Sequence, residues 1–219
     1  MTSSSYDIVK TLEGHTNAVI SVIELRDGEY KGFLASGSWD QTIKIWNSKD
    51  GKVVQTLEGH SNPVLSFIEL SDGEYQGFLA SGSSDNTIKI WNVANGECVR
   101  TLTGHTDYVR SLQVLANNQL ASGSWDETIK IWNVAKGECV RTLKGHTESV
   151  WSLLELANNH LASGSVDETI KIWNVANGEC MRTLKGHTDS VWSLQLLANN
   201  QLASGSDDKS IKIWNVANG

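Results

Sequence analysis

A Gly-His pair and a Trp-Asn pair recur five times in step along 219 residues, and every interval between them reads as four short strands. These observations predict an all-β fold, a β-propeller of four-stranded blades with five repeats and a ring closed by the N-terminal strand. One domain spans residues 1–219, with residues 1–7 as a loose N-terminal tail.

The repeats carry most of the argument. Gly-His stands at Gly14-His15, Gly59-His60, Gly104-His105, Gly145-His146 and Gly186-His187, at spacings of 45, 45, 41 and 41. The Trp of each Trp-Asn pair is Trp46, Trp91, Trp132, Trp173 or Trp214. Units 137–177 and 178–218 differ at only 8 of 41 positions, so they must adopt the same local structure. In the third unit, Cys98–Leu102, Val109–Leu115, Leu120–Gly123 and Thr128–Trp132 read as strands, the last alternating Ile129 and Ile131 with polar neighbours. Thr103-Gly104, Asn117-Asn118, Trp125-Asp126-Glu127 and Lys136-Gly137 supply the turns. No segment has the length and apolar stripe of a helix. A single blade cannot bury both faces, so the copies must stack on one another.

Composition narrows the functional classes. The chain is 39% hydrophobic and 20% charged, with a single Pro and a net charge of −7. That balance, with Lys and Arg scattered, argues against nucleic acid or an anionic membrane as partner. No apolar run approaches a membrane span and the N-terminus lacks a signal-peptide pattern, which predicts an intracellular, cytoplasmic protein. Cys98, Cys139 and Cys180 occupy one equivalent position in successive repeats, which suits small apolar strand residues and neither a disulfide framework nor a metal site.

Gly-His, then Leu-Ala-Ser-Gly-Ser-x-Asp, then Ile-Lys-Ile-Trp-Asn resembles the WD-repeat family in all five copies, from Ile8 to Gly219. One departure is uniform: the Asp of the family's Trp-Asp pair is Asn here, at Asn47, Asn92, Asn133, Asn174 and Asn215. The resemblance implies a propeller and a protein-interaction role. Most rings of this family have seven blades, whereas this sequence holds five.

Each repeat also carries a His, a Ser, an Asp and a Trp at fixed offsets. The sets are His15, Ser36, Asp40 and Trp46; His60, Ser81, Asp85 and Trp91; and His105, Ser122, Asp126 and Trp132. The remaining two are His146, Ser163, Asp167 and Trp173; and His187, Ser204, Asp208 and Trp214. Ser, His and Asp together suggest a hydrolase triad. Five equivalent copies, no nucleophile elbow and a Ser inside an apolar strand favour a structural network instead, with His donating to Asp and linked through Ser to the indole. The resemblance implies the same tetrad. Ser38 and its equivalents share a strand face with Ser36, so the pattern leaves the choice of serine open. The sixth histidine, His160, sits beside a turn and is expected in solvent. No catalytic residue, metal site or cofactor is expected.

Differences between copies mark where the scaffold is indifferent. One variable set follows Gly-His-Thr: Asn17-Ala18, Asn62-Pro63, Asp107-Tyr108, Glu148-Ser149 and Asp189-Ser190, each leading into Ile20, Leu65, Arg110, Trp151 or Trp192. Another precedes the turn Asp: Trp39, Ser84, Trp125, Val166 and Asp207. In the family both loops emerge on one face. Trp39, Asp107, Tyr108, Arg110, Trp125, Glu148, Trp151, Asp189 and Trp192 are therefore the candidate interface for other proteins or peptides, rich in the residue types that anchor interfaces. The opposite face carries longer loops in units one and two, Arg26–Phe33 and Ser71–Phe78, expected as hairpin elaborations.

The leading functional reading is a non-catalytic interaction scaffold. The alternatives are a small-ligand site in the channel near Trp151 and Trp192, or a recently amplified, consensus-like repeat protein without a specific partner. Ile8-Val9-Lys10-Thr11-Leu12 matches Cys98–Leu102, an outer strand, and is expected to pair beside Ser210–Trp214 and close a five-bladed monomer. The competing outcome is an open arc that self-associates through its end blades.

Overall fold

The computed structural model describes residues 7–71, 73–116, 118–198 and 200–216. The tail over 1–6, Asn117 of the predicted turn and the final residues 217–219 lie outside them. The described chain forms nineteen strands and one 3-10 turn, Gly73–Tyr75, in the longer loop of unit two. Among the described residues no helix is long and apolar enough to cross a membrane.

Strands group into five antiparallel sheets, the blades. Blade 1 comprises β1 (Val19–Glu24), β2 (Leu34–Ser38), β3 (Ile43–Trp46) and β4 (Val53–Leu57). Blade 2 comprises β5 (Val64–Glu69), β6 (Leu79–Ser83), β7 (Ile88–Asn92) and β8 (Glu97–Leu102). Blade 3 comprises β9 (Val109–Leu115), β10 (Gln119–Ser124), β11 (Ile129–Asn133) and β12 (Glu138–Leu143). Blade 4 comprises β13 (Val150–Leu156), β14 (His160–Ser165), β15 (Ile170–Asn174) and β16 (Cys180–Leu184). Blade 5 has three strands, β17 (Val191–Leu196), β18 (Gln201–Ser206) and β19 (Ile211–Asn215). The predicted strands of unit three match to within a residue at each end. Its first strand, however, is the outer strand of blade 2, so repeat and blade are offset by one strand.

Period-two alternation assigns each side chain to a neighbour. In Ile-Lys-Ile-Trp the two Ile face the following blade and the Trp faces the preceding one. Ile43, Ile45 and Leu57 of blade 1 thus share a core with Val64, Phe67, Leu79 and Trp91 of blade 2. The same arrangement recurs between blades 2 and 3, 3 and 4, and 4 and 5. Close approach depends on glycine. A Cβ at Gly82 would stand 2.7 Å from Val109 Cγ1, and one at Gly123 or Gly164 2.8 Å from Val150 or Val191 Cγ1. Each blade is wedged to the next by a Val laid over a bare backbone.

Three features depart from the sequence expectations. Ile8–Leu12 forms no strand beside β19, so the expected ring closure is not seen. The segment lies instead at the turn of blade 1, where Lys10 Nζ donates to the carbonyls of Ser48 and Lys49. Four Val-on-Gly contacts join the five blades, and the pair that a fifth would bring together stays apart: Val19 is 54% exposed and Gly205 has only Ser193 near the place of a Cβ, because a packed interface resists the change of angle that closing the ring requires. Cys139 and Cys180 are exposed rather than packed, and only Cys98 is half-buried. His160 is half-buried within β14 rather than solvated.

The longer loops behave as hairpin elaborations. Tyr30 and Phe33 pack against the core between blades 1 and 2, and Tyr75 and Phe78 against the next one.

Candidate functional site

The site is built from a β-bulge repeated in every inner strand. Pairing of β1 with β2 skips a residue between Val19 and Ser21, and β5, β13 and β17 skip at the equivalent place. Strand β9 does so opposite Gly123 and Ser124, which bulges Arg110. The bulged residues are Ile20, Leu65, Arg110, Trp151 and Trp192. A bulge re-aims its side chain, so Val keeps its wedge while the next residue is released from the inter-blade core.

The two variable loops of each blade are laced together by one backbone bond. Trp39 N–H donates to Ala18 C=O at 2.9 Å, Trp125 N–H to Tyr108 C=O at 3.0 Å, and Asp207 N–H to Ser190 C=O at 3.1 Å. Both sets therefore lie on one face, as the resemblance implied. On that face aromatic rings form a continuous row. Tyr108 and Trp125 stand 4.8 Å apart between centroids, Trp125 and Trp151 5.8 Å, and Trp151 and Trp192 4.0 Å. The Arg110 guanidinium lies 4.8 Å over the Trp151 ring, a cation–π contact, and its Nη1 donates to Leu65 C=O at 3.2 Å. Burial pushes the Arg110 guanidinium below its ordinary value, which still leaves it charged at neutral pH.

A groove runs between these groups, lined by Ile20, Trp39, Pro63, Leu65, Ser84, Tyr108, Arg110, Trp125 and Trp151. It unites five of the predicted interface residues, and Trp192 joins through its contact with Trp151. Asp107 adjoins the groove, but its carboxylate accepts the Tyr108 N–H at 2.7 Å and so orders the loop. Glu148 and Asp189 are exposed on the same face at equivalent positions and line no part of the groove. Ile20, Pro63, Leu65 and Ser84 were variable between copies but were not among the predicted interface residues. Trp151 Nε1–H is buried without a hydrogen-bond partner.

The tetrads have one geometry throughout. In blade 4, His146 Nδ1–H donates to Asp167 Oδ2 at 2.7 Å, Ser163 Oγ–H to His146 Nε2 at 2.7 Å, and Trp173 Nε1–H to Ser163 Oγ at 2.8 Å. The other four repeat these bonds through Ser36, Ser81, Ser122 and Ser204. Ser38 and its equivalents do a different task. Ser38 Oγ accepts the Asp40 N–H at 3.0 Å and donates to Asn17 C=O at 3.2 Å, pinning the two loops. A fifth partner had not been anticipated: Thr42, Thr87, Thr128, Thr169 or Ser210 donates its hydroxyl to the turn Asp at 2.6–2.7 Å. Burial by itself would raise the Asp85, Asp126 and Asp167 carboxyls, but the His and Thr donors outweigh it and hold them far below the carboxylate range. Asp40 is held low in the same way by Thr42, Thr16 and His15, and Asp208 chiefly by Ser210 and then His187.

Comparison with curated proteins returned no match. Among solved structures, the chain is similar to the WD40 β-propeller domain of Doa1, with 29% identity and a TM-score of 0.81. The match covers 97% of this chain and 69% of that one. The family described as WD domain, G-beta repeat, matches residues 6–47, 51–92, 96–133, 137–174 and 178–215. Such propellers commonly serve as protein-interaction scaffolds, and with five matched repeats and the corresponding blades this chain belongs to the WD40 family.

Proposed function

We propose that the chain is a non-catalytic scaffold that binds a protein or peptide segment in the groove between Trp39, Tyr108, Trp125 and Trp151. The observation that supports this reading is the aromatic row itself. Rigid rings give large contact area at low entropic cost; here Trp151 stands on a bulge of an inner strand, and Trp39, Tyr108 and Trp125 stand on loops laced to each other by backbone bonds. Arg110 adds a cationic donor to the groove, so an extended segment with an apolar side chain beside a carbonyl or carboxylate acceptor suits it best. Asp107, Glu148 and Asp189 would form an acidic rim that selects among partners. Free thiols at Cys98, Cys139 and Cys180 are compatible with a reducing, cytoplasmic setting.

The tetrads are read as structural. Ser81, Ser122 and Ser163 are fully buried, and each Oγ already accepts an indole N–H, which supports a structural role over that of a nucleophile. Peptides selected from a random displayed library and titrated against the full chain test the binding reading. Affinity should fall about tenfold or more in the Trp39→Ala/Trp125→Ala double variant and in Tyr108→Ala, with unchanged thermal stability. Binding that responds only to Tyr30, Phe33, Tyr75 or Phe78 would place the surface on the opposite face.

A further inference from the structure

The two ends of the arc are the separated halves of an interface that the chain makes four times internally. At its tail, β19 carries Ile211 and Ile213 at 78% and 52% exposure, whereas Ile43, Ile45, Ile88, Ile90, Ile129, Ile131, Ile170 and Ile172 are at 5% or less. Gly205 has only Ser193 of its own blade near the place of a Cβ, whereas Gly37, Gly82, Gly123 and Gly164 are each covered by the Val of the next blade. At its head, Val19 is 54% exposed, and the equivalent Val64, Val109, Val150 and Val191 are buried. Head and tail thus show the wedge and the bare backbone that fit each other.

The N-terminal segment adds a second observation. In blades 2, 3 and 4 the hairpin Gly (Gly96, Gly137, Gly178) is covered by a residue from the outer strand of the preceding blade: Gln55, Arg100 or Arg141. Gly51 of blade 1 is covered in the same way by Lys10 and Leu12. Lys10 aligns with those three residues in sequence, so Ile8–Leu12 is held where the outer strand of a blade preceding blade 1 would run. Its Ile8 and Val9 are 84% and 97% exposed. Among the described residues blade 5 has three strands, with none on the outer side of β19.

We propose that a second copy of this chain docks head to tail. Ile8–Leu12 of one copy completes the last sheet of the other, and Val19 seats over Gly205 while Ile211 and Ile213 are covered. The contact is heterologous, using different surfaces on the two copies, so it closes into a ring if the rotation permits and continues as an open chain if it does not. Strand addition would supply backbone hydrogen bonds, and the Val and Ile contacts the register.

Sedimentation of the full chain over a range of concentrations, with Val19→Lys and Ile213→Lys as variants, tests this. Wild type should sediment at twice 24.0 kDa or a higher multiple, and each variant alone at 24.0 kDa. An equimolar mixture of the two variants retains one intact head and one intact tail, so it should regain a species of twice 24.0 kDa and no larger. Both positions are more than half exposed in the single chain, and circular dichroism verifies that each variant folds. Val22→Lys, at 60% exposure, replaces Val19→Lys if the latter does not. A wild type that stays at 24.0 kDa throughout overturns the proposal, most directly if residues 8–12 are then protected from hydrogen exchange by pairing within one chain. Variants that keep the wild-type mass, or a mixture that stays monomeric, overturn it as well.

Discussion

His146 shows at the scale of one residue why the tetrad holds a blade together. Its proton on Nδ1 goes to Asp167, its Nε2 accepts from Ser163, and Ser163 in turn accepts from Trp173. A neutral imidazole satisfies every partner at once, and one network therefore ties β14 and β15 to the turn between them and to the Gly-His loop. Replacing His146 with Ala leaves Ser163 and Asp167 short of a partner and opens space beside the Trp173 ring. Stability should fall by about 1–3 kcal/mol, read as a lower urea midpoint with an unchanged slope. A change within a few tenths of a kcal/mol would remove the tetrad from the list of stabilising elements. The His, Asp and Trp were legible from their fixed offsets. The serine was not, because residues two apart on a strand point to the same face. Only the turn, which places Ser38 under the Asp40 N–H, separates their roles.

The element that governs packing is the second strand, Leu-Ala-Ser-Gly-Ser. Its Leu and Ser face the preceding blade, and its Ala and Gly the following one. Gly123→Ala should cost about 1–3 kcal/mol, because the new methyl meets Val150 Cγ1 at 2.8 Å and Cβ at 3.3 Å in a filled interface. Gly205→Ala at the same position of blade 5 meets only Ser193 Oγ, which can rotate away, and should cost little in a single chain. Paired urea titrations at a concentration that keeps the chain monomeric compare the two. Equal losses would mean that the glycine serves the strand itself rather than the blade contact. Strand positions in the sequence were readable from alternation and turn residues, while the bulges were not. A bulge adds no residue type of its own, and the alternation it breaks spans a single position in each inner strand.

The whole molecule carries five turn carboxylates with the same perturbation, and their effect on stability adds. Each native Asp binds its proton more weakly than the unfolded Asp. The unfolded state therefore takes up more protons on acidification, and the stabilisation is present above the unfolded value of about 3.9 and lost as pH falls through it toward the folded value. The urea midpoint should drop steeply below about pH 4, by more than a propeller in which the Asp167→Asn and Asp126→Asn changes have removed two of the groups. A variant that loses as much on acidification as the wild type would show that other carboxylates control the acid transition.

Local order is what the sequence determined alone. Repeats at 41 and 45 residues, period-two alternation and fixed His, Asp and Trp offsets specify strands, turns and blade identity, because those depend on contacts within one unit and its neighbour. Variation between copies singled out Trp39, Tyr108 and Trp125, since copies differ where the scaffold imposes nothing, but that their loops share one face was implied only by the family resemblance. What only the tertiary structure decided depends on accumulation. The angle between blades is set at each contact, and it accumulates over four Val-on-Gly contacts before head and tail can meet or miss. Matching ends at Ile8–Leu12 and Ser210–Trp214 state that two surfaces are complementary, but complementarity is the same whether the partner lies on one chain or on two. Geometry kept Ile211 and Val19 apart, because a packed interface resists the change of angle that closing five blades would require.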